Sequence, residues 1–359
     1  MDVLSDVLRV VRLTGAVFFT AECSRPWAVE SPMPDMLASM VRAQQDDCVA
    51  LFHILMDGEC IVECKGLPPI KMYAGDVVIF PHSEPHTMRS HSGVKPIPIG
   101  SVVLPPSPEF LPKIAFGGNG ETSRFLCGYL NCNQSFSHLT VALPKMLLVR
   151  SRNEYTVDAI DRRGVRPANV AGGSRTWLGT TLKFTISEAK NARPGNSAML
   201  GRLTELMFVE ILRQYMQQLP DNQGGWLAGL NDAHVGKALR LIHTTPERNW
   251  TVRELAREAA TSRSVLAQRF TQLVGESPMR YLAGWRIQLA KQMLRDGADG
   301  IGEVSARVGY ESEAAFNRAF KRATGSPPAS WRKRILTAVP SFAAIFICAQ
   351  SWLATILAS

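Results

Sequence analysis

The opening residues, MDVLSDVLRVVRL, place Val3, Leu4, Val7, Leu8 and Val11 three or four positions apart, the spacing of one face of an amphipathic helix. The pattern then changes. GAVFFTAEC has the β-branched and aromatic content of a strand, and from 48 to 104 short apolar runs (CVALFHILMDG, CIVECKG, IKMYAGDVVIFP, PIPIGSVVL) alternate with glycine and proline turns. Short strands at this interval predict a β-sandwich or barrel. A proline-rich stretch, LPPSPEFLPK, follows, and FGGNGETSRFLCGYLNC holds the last predicted strands. Residues 150–180 are polar and glycine-rich and read as loop or linker. Helical spacing returns in SAMLGRLTELMFVEILRQYMQQL, which Pro220 ends. Its Leu203, Leu206, Met207, Val209, Glu210 and Leu212 cover more of the circumference than one surface stripe needs. Packing on the β domain would use the surplus, but a dimer interface is the preferred reading.

Residues 250–334 contain an internal repeat. Shifted by fifty positions, TSRSVLAQRFTQ falls on ESEAAFNRAFKR: Ser262 on Ser312, Leu266 on Phe316 and Phe270 on Phe320, with Gly275 on Gly325, Pro278 on Pro328 and Tyr281 on Trp331 further along. Upstream the shift is forty-nine, placing Val252, Leu255 and Ala256 on Ile301, Val304 and Ser305, so the second copy has one extra residue in its Gly309-Tyr310 turn. Each copy reads as a short helix, a tight turn, a serine N-cap and a second helix. The hydroxyls of Ser262 and Ser312 accept amide protons left free in the first turn. Leu266 with Phe270, and Phe316 with Phe320, are neighbours one turn apart on the inward face. This is the helix-turn-helix arrangement, whose second helix enters the DNA major groove.

Charge supports that reading. The 359-residue chain is 46% hydrophobic and 20% charged, a folded protein of two or three domains. Of its formal net charge of +9, residues 231–334 carry +8 (18 Lys+Arg against 10 Asp+Glu) and the other 255 residues +1. One basic module on a nearly neutral body points to a polyanion partner. The doubled motif, its basic setting and the endings GESPMRYL and GSPPASWR resemble the DNA-binding domain of the AraC family of transcription regulators over 231–334. The resemblance implies that the helix between the copies, here about 280–294, holds two readers on one side of the duplex. It implies base-facing roles for Ser264, Ala267 and Gln268 in the first reader, with Arg263 and Arg269 on phosphate. In the second it implies Glu313, Ala314, Asn317 and Arg318, with Lys321 and Arg322 behind them. Arg318 can pair with guanine, and Asn317 or Gln268 with adenine. Gln268 stands where the family commonly has arginine.

AGDVVIFPHSEPH fits the second motif of cupin barrels from Gly75 through Pro81 to His86, with Ser83 in place of its last glycine. With FHILMDGEC and CSRPWAVE it is similar to the cupin-type sensing domain of one AraC branch. The resemblance implies an effector pocket near Trp27, His53, His82 and His86. Cupins hold a divalent metal through paired histidines, but the HxH of their first motif is missing and His53 stands alone. His82, Glu84, His86 and His91 form a candidate nitrogen/oxygen set. Against it stand a pocket for an organic ligand and histidines that cap turns. A cupin metalloenzyme fused to a DNA module is the alternative function, disfavoured by the missing HxH.

Seven cysteines, an odd number, without a secretory signal read as reduced thiols. Cys60 with Cys64, or Cys127 with Cys132, is a redox or metal candidate against ordinary buried thiols. Residues 335–359 have no charge, and an apolar tail is preferred there over a membrane anchor. The whole reads as an α+β chain. Residues 1–149 form a cupin-like effector-sensing β-barrel, 150–230 a linker and helical dimerisation segment, 231–334 the all-α domain with two helix-turn-helix units, and 335–359 the tail. The expected function is a cytoplasmic, non-enzymatic, homodimeric regulator without a cofactor. Its expected partners are double-stranded DNA and a small-molecule effector, with RNA polymerase a candidate.

Overall fold

The computed structural model describes the chain except residues 1, 12, 34–36, 38–46, 102–110, 134–136, 154, 162–163, 167–172, 192, 220–224, 298 and 338–359. The preferred apolar tail lies almost wholly outside the described residues. Among those described, no helix is long and apolar enough to cross a membrane. The chain divides into two units, Met1–Lys237 with Gln268–Gly275, and Ala238–Ala267 with Glu276–Ser359.

The first unit begins with the expected amphipathic helix α1 (Val3–Val11), which buries Val3, Leu4, Val7 and Val10. Strands follow: β1 (Thr14–Ser24), β2 (Ala28–Glu30), β3 (Asp47–Asp57), β4 (Glu59–Cys64), β5 (Ile70–Tyr73), β6 (Val77–Phe80), β7 (His86–Arg89), β8 (Ile97–Pro98), β9 (Lys113–Gly117) and β10 (Thr122–Asn133). After a short helix α2 (Ser137–Val141) come β11 (Met146–Arg150), β12 (Thr156–Asp161) and β13 (Gly164–Arg166). One sheet runs β13-β12-β11-β6-β3-β10-β1-β9, and a second runs β5-β4-β7-β2-β8. Alternation along β3 and β10 gives the large sheet two apolar faces. Leu51, Leu55, Phe125 and Cys127 join Val62, Met72 and Met88 of the small sheet in one core. Phe52, Ile54 and Leu130 face the other way, toward a helical hairpin of α3 (Gly173–Lys190) and α4 (Asn196–Gln217) that contributes Leu178, Met207 and Ile211.

Two expectations change here. Residues 150–180 are not merely a linker: they supply β12, β13 and the start of α3, and the sheet runs beyond residue 149. Their polarity misleads because β12 buries Asp158, whose carboxylate takes a hydrogen bond from Arg150 Nε at 3.4 Å. The apolar surplus of α4 also goes mainly to the sheet. The helix crosses β1 at two glycines: a β-carbon on Gly201 would lie 2.6 Å from the Gly15 carbonyl oxygen, and one on Gly15 2.7 Å from that of Gly201. Met207, Glu210 and Leu212 are buried, whereas Leu203 and Val209 are half-buried and Leu206 is exposed.

Beyond α5 (Trp226–Asn231) and α6 (Val235–Thr244), the repeat folds as its spacing predicts: α7 (Val252–Glu258), α8 (Arg263–Val274), α9 (Pro278–Asp296), α10 (Ile301–Arg307), α11 (Glu313–Thr324) and α12 (Pro328–Thr337). Ser262 Oγ accepts the Val265 amide and Ser312 Oγ the Ala315 amide, each at 3.2 Å. Both turns close alike, Thr261 N–H donating to the Ala256 carbonyl and Tyr310 N–H to that of Ser305. Ala260 and Gly309, equivalent under the forty-nine-residue shift, adopt left-handed φ of 53° and 86°. Phe316, Phe320, Val304, Leu294 and Trp331 form the core of the second copy.

Candidate functional site

Between the two sheets lies a pocket that opens to solvent, with about 830 Å³ of empty space counted together with its open mouth. Phe19, Leu51, Met88, Ile114 and Phe125 supply much of its apolar wall, and His53, His86 and Cys127 its polar floor. The floor is assembled by pairing. His53 on β3 is directly opposite Cys127 on β10, and His86 reaches across from the small sheet. His86 Nδ1 lies 2.8 Å from the Glu84 carbonyl oxygen, which can only accept, so this nitrogen carries hydrogen. Burial lowers the His86 pKa to about 4 and holds that of His53 well below its ordinary value, so both rings are neutral near pH 7. His86 Nε2 therefore accepts from His53 Nε2–H at 2.9 Å, and His53 Nδ1 accepts from the Cys127 thiol at 3.0 Å. Burial raises the Cys127 pKa, which keeps that sulfur protonated. Every hydrogen of the relay is thus engaged within it.

Of the four expected pocket residues, His53 and His86 line the cavity. Trp27 stands one layer behind, edge-on to Phe116 and Phe125. His82 is directed elsewhere, its Nε2 3.2 Å from the Leu143 carbonyl oxygen. The candidate metal set does not converge. His86 is held by His53 and Glu84, His91 is exposed beside Ser90, and no group of three or more metal-ligating side chains occurs among the described residues. The cysteine pairs fail on distance: on one strand, Cys60 and Cys64 are separated by roughly 13 Å and Cys127 and Cys132 by roughly 16 Å. Sequence reasoning missed Cys127 as a partner of His53, because that pairing depends on strand register. Ser83, at the motif's glycine position, takes a left-handed φ of 53° and donates its hydroxyl hydrogen to the Val49 carbonyl.

The two second helices carry the expected reading residues. Arg263, Ser264, Gln268 and Arg269 of α8 are exposed, and Ala267 is half-buried. Glu313, Ala314, Arg318, Lys321 and Arg322 of α11 are exposed, and Asn317 is half-buried. Arg269 is ion-paired with Asp232. Its Nε is therefore engaged within the protein.

A β domain with an internal cavity followed by a doubled, basic helix-turn-helix module defines a two-part protein whose second part is a DNA-binding module. The cupin family matches residues 2–161 and 165–217, and the helix-turn-helix domain family matches 255–334. A putative AraC-like transcription regulator from Streptomyces lividans is 32% identical over 335 residues, 93% of this chain and 98% of that protein. One from Streptomyces antibioticus is 30% identical, covering 93% of this chain and 99% of that protein. The transcriptional regulator AlkR of Acinetobacter baylyi is 26% identical, covering 93% of this chain and all of that protein. The chain belongs to the AraC-like transcription regulators.

The neutral histidines make the first unit sensitive to acid. Above pH 6.5 folded and unfolded chains both hold them uncharged. Below it the unfolded chain takes up protons that the folded chain refuses until His86 titrates near pH 4. Stability is expected to fall by about 1.4 kcal/mol per pH unit for each such histidine between these limits. Urea unfolding at pH 7, 6 and 5 should show a steeper loss for the wild type than for a His53→Met/His86→Met variant. Equal slopes would show that the pair is not held neutral.

Proposed function

We propose that this regulator binds DNA as a homodimer in the cytoplasm, using α8 and α11 as two major-groove readers, and that a small apolar effector in the barrel controls it. The observation that carries the reading is the doubled helix-turn-helix with equivalent serine caps and left-handed turns, in a segment of net charge +8. Arg318, Asn317 and Gln268 are the base readers, and Arg263, Lys321 and Arg322 are phosphate contacts. RNA polymerase is the machinery such a regulator acts on.

The relay supports an uncharged effector. A carboxylate on this floor would need a donor, and each donor of the relay already has an acceptor within it. A hydrocarbon or aromatic ligand needs none. The helical hairpin supports the homodimer: Trp177 and Phe184 on α3 are 43% and 49% exposed, and Met199 and Leu206 on α4 are 46% and 53% exposed. Each pair is seven residues apart, on one side of its helix. A second copy of this surface would cover them.

Three outcomes follow. Arg318→Ala should cost ~1–3 kcal/mol at the preferred site and relax base preference in one cluster, whereas Lys321→Ala should weaken all sequences alike and flatten the salt dependence. Binding-site selection with each variant measures both, and an unchanged preference for Arg318→Ala would reject α11 as a reader. N-phenyl-1-naphthylamine, an uncharged apolar dye, should brighten on the wild type and not on a folded Leu51→Trp variant; equal brightening would place the dye elsewhere. Phe184→Glu/Leu206→Glu should halve the mass seen by light scattering without loss of helix content, and an unaltered mass would reject this dimer face.

A further inference from the structure

The second turn, one residue longer than the first, has a structural partner. Gly309 lies against the backbone of the segment that leads into the first helix-turn-helix: a β-carbon there would be 2.5 Å from the Glu247 carbonyl oxygen and 2.6 Å from Glu247 Cα. Its equivalent, Ala260, is exposed. Between turn and segment sits Arg286, from the middle of α9. Arg286 Nε donates to the Pro246 carbonyl at 2.7 Å, and Nη2 donates to those of Arg248 at 2.9 Å and Glu247 at 3.3 Å. The same guanidinium lies 5.7 Å from the ring centroid of Tyr310. Close by, Asn249 Nδ2 donates to Glu311 Oε1 at 3.4 Å.

A single connecting helix fixes the separation of two modules but leaves their mutual rotation to whatever else they touch. Here the second contact is built from three carbonyls ahead of α7, the turn ahead of α11, and one cation between them. Burial lowers the pKa of Arg286. Carbonyl oxygens, which only accept, compensate the buried charge. We propose that Arg286, clamped between residues 246–248 and the Gly309-Tyr310 turn, is a positioning residue that sets the phase between the two readers and so the spacing of the base clusters they select. It touches no base; it acts through the orientation of α7 with α8 against α11. This rests on the reading of these helices as DNA readers.

The test is selection from random-sequence duplex DNA by the full chain at fixed salt. The wild type is expected to select two base clusters at one spacing near 10 base pairs. Arg286→Ala, and Tyr310→Leu, which leaves the three carbonyl bonds in place, should select the same two clusters at a spread of spacings. Their affinity for the wild-type site should fall at least roughly tenfold, as linkage between the readers loosens. Affinity for a duplex bearing a single cluster should not change, which separates loss of positioning from loss of folding. An unchanged single spacing in both variants would overturn the inference while leaving the DNA-reading function intact, as would loss of single-cluster binding in both. Failure of the wild type to select any cluster would instead overturn the functional reading itself.

Discussion

Side chains of successive residues on an extended strand point to opposite faces, and on β3 and β10 both faces have work to do. Leu51, His53 and Leu55 look into the barrel while Phe52 and Ile54 look out to the hairpin. The opposing strand repeats this arrangement, Phe125 and Cys127 inward and Leu130 outward. A slip of one residue would exchange cavity wall for helix seat. Register in this pair therefore fixes the polar floor, the apolar wall and the seating of α3 and α4 together. The crossing at Gly15 and Gly201 then brings α4 close enough to cover the outer face.

The second unit meets a different constraint, the turn inside each helix-turn-helix. The chain must leave one helix through a left-handed residue and start the next within two or three positions. Ala260 accepts that backbone because its β-carbon faces solvent, while Gly309 has no room for one. The repeat is thus symmetric in its hydrogen bonds and asymmetric in its neighbours.

The legible parts of the sequence were those governed by local rules. Ser262 and Ser312 announce helix starts, and Phe316 with Phe320 marks an inward face; both signals need only a dozen residues. The β-rich half was legible as short strands, since apolar runs and glycine turns are also local. Pairings between distant residues were not. His82, Glu84, His86 and His91 look like one cluster because they are close in sequence, yet the three histidines each turn to a different neighbour. His86 finds His53, thirty-three positions earlier, across the two sheets. β12 and α3 were obscured for another reason: TVDAID and GSRTWLGTTLKFTISEAK carry polar residues in their buried faces, among them Asp158 and Thr185. Arg286 resembles any surface arginine until the turns on either side of it are placed.

The closed relay beneath the cavity bears on how this protein diversifies. A pocket whose ligand is held by charged groups must rebuild them to change its preference, and intermediates with an unmatched charge lose function. Here the Glu84 carbonyl, His86, His53 and Cys127 satisfy one another whether or not anything lies above them. Substitutions among Phe19, Leu51, Met88 and Ile114 can then alter the volume and outline above the floor one methyl group at a time. The shape above the floor is free to change by small steps, with the electrostatics of the barrel left unchanged.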